Sequence, residues 1–149
     1  MLDRDAQILL DTKSAARASI ASDPMAVREG LRQLFDTLLL RSIPEDGRGT
    51  AQIVLAEALN NIVEHAYARH QGEIEITLNL KPTELHCKII DSGLPMPGEV
   101  LPEGKLAPLD ELGELPEGGF GWHLIRTLSH DLSYSRIGGK NHLSFRLET

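Results

Sequence analysis

Glu57 and Asn61 stand four residues apart in a stretch whose apolar residues recur at helical spacing, so their side chains share one helix face. At about 100° per residue, Glu64 and Ala68 join that face, roughly opposite the apolar stripe of Leu55, Ala58, Leu59, Ile62 and Ala66. Such a face is either the wet side of an amphipathic helix or a carboxylate base beside an amide oxygen able to hold a hard cation. A second cluster, Asp91-Ser92-Gly93, closes an apolar strand. It reads as a turn, in which Asp bonds its own backbone and Gly takes positive φ. It reads equally as an acceptor for the amino group of a base, with Gly93 letting that base approach the backbone. The third cluster, Gly118-Gly119-Phe120-Gly121, directly precedes a helix. These glycines are hinge or cap residues, or they expose backbone N–H groups at the positive end of the helix dipole, which suits phosphate. No Gly-Lys-Ser/Thr comes after them, so this is not a Walker loop.

Other reactive side chains carry less. The histidines at 65, 70, 86, 123, 130 and 142 share no metal-ligand spacing. Cys87 is the one cysteine, which excludes an intrachain disulfide and a cysteine-based zinc site. It falls on the apolar face of a strand, as a core residue does. Trp122 comes just after the glycines and is expected to pack against the preceding loop more than to touch a ligand.

The elements that must position these residues can be read from periodicity. Residues 6–20 are ambiguous, with the alternation of Ala16, Ala18 and Ile20 suiting an edge strand. Ser22-Asp23-Pro24 starts a helix expected to run to about Arg41. Ser42 to Gly49 reads as a linker, and a second helix is expected from about Thr50 to Arg69. The period then changes to two. Ile74, Ile76, Leu78 and Leu80 alternate with polar residues, and Leu85, Cys87 and Ile89 make the next strand. From Ser92 to Gly119 no period survives, and five prolines fall there; a loop of this length is usually functional or disordered. It is expected to form a mobile lid over the site. A helix from Phe120 to about His130 comes next, with Leu124, Ile125 and Leu128 facing inward, and then two strands flanking Gly138-Gly139-Lys140-Asn141. The order predicts an α+β fold, a two-layer α/β sandwich with a mostly antiparallel sheet and helices on one face, as a single domain over residues 1–149.

At 149 residues the chain can bury one core, and with aromatics at 4% that core must be built from Leu, Ile, Val and Ala. A net charge of −7 argues against direct nucleic-acid binding, which needs Lys and Arg on phosphates, and leaves a basic protein partner open. No apolar run is long enough to span a bilayer, and Asp3, Arg4 and Asp5 ahead of Ile8-Leu9-Leu10 do not make a signal peptide. The expectation is a cytoplasmic protein without membrane contact.

Together the three clusters resemble the Bergerat ATP-binding (histidine-kinase-like ATPase) superfamily, and most closely its anti-sigma-factor serine/threonine kinases. The segment Glu57 to Tyr67 resembles that branch's N box, E-A-x-x-N-x-x-x-H-A-Y, at every fixed position. Asp91-Ser92-Gly93 resembles the G1 box, Gly118 to Arg126 the G2 box and its helix, and Tyr134 to Leu143 the final hairpin. The resemblance covers residues 14 to 147. It implies Glu57 as general base, Asn61 as Mg²⁺ ligand, Asp91 as partner of the adenine amino group, Gly93 against the purine, and backbone N–H groups around Gly119 and Gly121 on the phosphates. It further implies ATP and Mg²⁺ as cofactors, a sigma factor and an anti-anti-sigma antagonist as partners, and a homodimer. Two departures stand out: Pro95 replaces a second glycine after Gly93, and Pro116-Glu117 precede the G2 glycines where several kinases of the branch have Arg. The second favours an alternative, a nucleotide-gated partner-switching module with little or no phosphoryl transfer; Arg126 or Lys105 are the candidates to replace the missing charge.

Overall fold

A computed structural model of the chain describes residues 5–104 and 120–149. The elements are β1 (Ala6–Asp11), β2 (Ala15–Ala21), α1 (Pro24–Phe35), α2 (Leu38–Ser42), α3 (Glu45–Asn61) continued by a π turn (Ile62–Ala66), β3 (Glu73–Leu80), β4 (Glu84–Asp91), a 3-10 turn (Pro97–Glu99), α4 (Phe120–Leu128), β5 (His130–Ile137) and β6 (Lys140–Glu148). All six strands pair antiparallel in the order β1-β2-β3-β4-β6-β5. Strand alternation sorts the two faces. Ala16, Ala18 and Ile20, then Ile74, Ile76 and Leu78, then Leu85, Cys87 and Ile89, then Leu143, Phe145 and Leu147 are buried, while Arg17, Glu75 and Lys88 face solvent. The helices cover the apolar face, α1 against β1 and β2, α3 against β6, and α4 against α3. The expected α+β two-layer class therefore holds.

Strand register places three polar residues side by side. Asp91 on β4 lies opposite Asn141 on β6, which lies opposite Arg136 on β5, so the three form one row at the sheet's end. The β5–β6 hairpin closes through Gly138 and Gly139 at φ 58° and 76°, the pair of positive values a two-residue hairpin loop demands.

Four element boundaries differ from the sequence expectation. Residues 6–20 make a hairpin of two strands, not one edge strand, closed by Thr12, whose Oγ1 accepts from the Ala15 N–H at 3.0 Å. The first helix stops at Phe35: Thr37 is extended, its hydroxyl donates to the Leu34 carbonyl at 2.6 Å, and Asp11 restarts the chain as α2 by accepting from the Leu38 N–H at 2.8 Å. A cap reaching across 27 residues leaves no local signal. The expected linker 42–49 is mostly helix, because α3 begins at Glu45 with Glu45 and Asp46 favourably placed in its first turn. Finally, the second helix ends at Asn61 and widens into the π turn, closing with the Tyr67 N–H on the Ile62 carbonyl at 3.0 Å.

Candidate functional site

The inward alternation of β4 runs Leu85, Cys87, Ile89, Asp91, so strand register alone carries a carboxylate into the core layer, where it is 4% exposed. Its Oδ1 accepts from the Gly93 N–H and from Asn141 Nδ2, each at 2.8 Å. Among the described residues no hydrogen bond reaches Oδ2. Burial pushes the Asp91 carboxyl above its ordinary range, opposed by the hydrogen bonds from Asn141 and Gly93 and by the nearby charge of Arg136.

The loop after Asp91 is fastened from two sides. On the helix side the π turn presents the Ala66 carbonyl, which accepts from the Leu94 N–H at 2.7 Å. Gly93 lies flat against that same peptide; a Cβ there would stand 2.4 Å from Ala66 O and 2.6 Å from Ala66 C. Tyr67 accepts from the Ser92 N–H and donates to the Glu73 carbonyl, both at 2.8 Å. On the sheet side, Arg136 Nη1 donates to the Gly93 carbonyl at 2.6 Å and Asn141 Nδ2 to the Leu94 carbonyl at 2.8 Å. Tyr134 accepts from the Met96 N–H at 3.0 Å. Sequence reasoning reached Tyr134, Arg136 and Asn141 only as part of a hairpin that resembles the family's last. Their part in holding this loop depends on pairing between strands distant in sequence, which no local pattern reports.

A cavity of about 480 Å³ opens between the π turn, this loop, α4 and β6. That lies within the range of small-molecule sites. Asp91 and Asn141 line it from the sheet, Asn61 and His65 from the helix, and Leu94, Met96 and Trp122 supply apolar wall. Trp122 is buried and lines the cavity, and its backbone also packs on Gly104 of the preceding loop.

Glu57 is one turn before Asn61 on α3 and is not among the cavity's lining residues. The first turn of α4 meets both: a Cβ on Gly121 would stand 2.6 Å from Glu57 Oε2 and 3.3 Å from Asn61 Nδ2. Glu57, Asn61 and Gly121 thus converge at the positive end of α4, while Asp91 and Gly93 sit together at the sheet. Asn61 Nδ2 is buried without a hydrogen-bond partner among the described residues. Amide O and N are told apart only by their partners, so this side chain can equally present its oxygen. An amide oxygen beside a carboxylate is a hard-oxygen set that fits Mg²⁺, which commonly takes one or two protein ligands and fills the rest with phosphate and water. Glu64, expected on the same wet face, is exposed beside His65 at 3.9 Å and, like Glu57, does not line the cavity.

The remaining candidates divide. Gly119, Gly118, Glu117 and Lys105 lie outside the described residues. Arg126 is committed elsewhere, donating from Nε to the Pro102 carbonyl at 2.8 Å. His123 Nδ1 is 3.2 Å from the Gly104 carbonyl. The described part of the expected lid, up to Gly104, is tied to α4, the π turn and β5.

Known proteins resemble this chain in sequence. The model of the histidine kinase-like ATPase domain aligns with residues 20–147. Serine-protein kinases RsbW of Bacillus mycoides (strain KBAB4), Bacillus cereus (strain AH820) and Bacillus thuringiensis (strain Al Hakam) are each 37% identical over 84 residues, covering 54% of this chain and 52% of the relative. The chain thus spans about half the length of the curated relatives it matches. The domain match covers four of the six strands, β3 to β6, and every element that lines the cavity, and on that ground the chain belongs to the histidine kinase-like ATPase family.

Proposed function

We propose that the chain is one ATP-binding domain of the anti-sigma-factor serine/threonine kinase type, which phosphorylates a small antagonist protein and sequesters a sigma factor. The observation that supports this most is the single cavity lined by both Asp91 and Asn61, with Glu57 and Gly121 adjoining Asn61. In this reading Asp91 Oδ2 accepts from the adenine amino group, and Gly93 lets the purine lie against the loop. Backbone N–H groups around Gly119 and Gly121 hold the phosphates at the start of α4. Asn61 offers its oxygen to Mg²⁺, which when bound neutralises charge developing on the transferred group. Glu57 takes the proton of the attacking hydroxyl. The protein works in the cytoplasm, with a second copy of itself, the antagonist and the sigma factor as partners. Among the described residues no helix is long and apolar enough to cross a membrane.

Incubation with labelled ATP, Mg²⁺ and candidate antagonists tests this directly. Label should pass to an antagonist, and Glu57→Ala should slow that transfer by about 10²–10⁴ while sparing nucleotide binding. Unchanged transfer in Glu57→Ala removes the base assignment. A second reading, a nucleotide-gated binding module, draws on Pro116-Glu117 before the glycines and on the engagement of Arg126 by Pro102. Partner binding without label would favour it.

A further inference from the structure

Asn141 is 5% exposed, and its two ends are not interchangeable. Its Oδ1 accepts from Tyr134 at 2.5 Å and from Arg136 Nη1 at 3.1 Å. Arg can only donate. The Tyr134 oxygen already accepts from the Met96 N–H, so its own proton goes to Asn141. The amide oxygen must therefore face β5, and Nδ2 must face Asp91 Oδ1 and the Leu94 carbonyl, which both accept. With the Gly93 N–H, Nδ2 gives Asp91 Oδ1 two donors, and Oδ2 is left as the end of the carboxylate toward which a base can donate.

We propose that Asn141, oriented by Tyr134 and Arg136, is the positioning residue that fixes Asp91 as an acceptor and so selects a purine with an exocyclic amino group over its 6-oxo counterpart. This rests on the nucleotide-binding reading above. The row Asp91, Asn141, Arg136 across three strands supplies the directionality: a fixed cationic donor on β5 orients the amide, and the amide orients the carboxylate. A 6-oxo purine would bring an acceptor against Oδ2 and leave both unpaired.

Calorimetric titration with ADP and with IDP, each with Mg²⁺, tests it. The wild-type protein should bind ADP at least about tenfold tighter than IDP, within the range that one unpaired buried polar group costs. Asn141→Asp keeps an acceptor for Tyr134 and Arg136 but turns the face toward Asp91 from donor to acceptor. One of two carboxylates in that contact takes up a proton; held at Oδ1, it leaves Oδ2 a neutral and therefore weaker acceptor for the amino group, so the IDP-to-ADP ratio of Kd should fall about two- to tenfold. A merely structural loosening would weaken both nucleotides alike and leave the ratio where it was. Should Asn141→Asp fail to fold by circular dichroism, Tyr134→Phe decides, with an expected fall in the ratio of about two- to tenfold for one lost hydrogen bond. An unchanged ratio in the folded variant overturns the inference alone. A wild-type protein that binds neither nucleotide overturns both the inference and the nucleotide reading beneath it.

Discussion

Replacing Gly121 with Ala separates the fold from the chemistry more cleanly than removing an acidic residue does. The new methyl would sit 2.6 Å from Glu57 Oε2, the far end of a flexible side chain, and 3.3 Å from Asn61 Nδ2. Glu57 can yield by turning away, at about 0.5–1.5 kcal/mol for leaving its rotamer. Against this, Ala is favoured over Gly in a helix by up to about 1 kcal/mol. The two nearly cancel, so the ligand-free protein should unfold within about 1 kcal/mol of wild type. The carboxylate, however, has left its place beside Gly121, and if Glu57 is the proposed general base its loss costs about 10²–10⁴ in rate, or about 3–5 kcal/mol of barrier. Urea denaturation gives the first quantity and transfer of label from ATP to the antagonist gives the second. Stability loss above about 2 kcal/mol would refute the packing of α4 on α3. Wild-type transfer in a stable Gly121→Ala protein would refute the placement of Glu57 as base.

The geometry sets three further outcomes. Gly93→Ala puts a methyl 2.4 Å from the Ala66 carbonyl oxygen, which is backbone and cannot turn away, so urea unfolding should show a loss of about 2–4 kcal/mol from overpacking and a lost hydrogen bond. Asp91→Asn keeps an acceptor for Gly93 and Asn141 but aims a donor into the cavity; the unliganded Tm should stay close to wild type while the rise in Tm given by Mg·ADP disappears. Arg146 bonds both Glu84 and Asp131 on the exposed side of the sheet. The Glu84 carboxyl is held below its usual range by His86 first and then Arg146, and that of Asp131 by Arg146. Depressed folded-state values mean stability that is present above the ordinary carboxylate range and lost as pH falls through it. Arg146→Ala should therefore flatten the fall of Tm with acid; an unchanged slope would remove these pairs as its source.

Much of the site was legible because its parts are local. Glu57 and Asn61 share a helix face by spacing alone, Asp91 ends an alternating strand, and both positions hold. What failed was boundaries and distance. The π turn after Asn61 leaves no mark in the sequence period, because Ala58, Asn61, Ile62, His65 and Ala66 still line the cavity at helical spacing. The break at Thr37 hides inside a continuous apolar period, because Leu34, Leu39 and Leu40 are all buried and only Asp11, on another strand, marks the new start. Gly47 and Gly49 suggested a linker because Gly weakens helices, but Ala51, Val54 and Leu55 bury enough surface to override that weakness. The row Asp91, Asn141, Arg136 depends on β6 lying between β4 and β5, a long-range choice that alternation does not encode.

That strand order also sets a timetable for synthesis. β4 leaves the ribosome with one edge open, and β5, made next, does not fill it; the gap waits for β6. Until Asn141 emerges, the loop from Gly93 to Met96 lacks its sheet-side fastenings and Asp91 lacks one of its two donors. A nascent chain that already displays the whole helix with Glu57 and Asn61 still has no finished cavity, since Leu143 and Asn141 belong to its wall. Contacts this distant in sequence form slowly, after the loops between them have closed. In the proposed nucleotide-binding role, ligand binding therefore marks completion of the sheet, and a ribosome-bound chain stalled before Lys140 would neither bind the ligand nor gain stability from it.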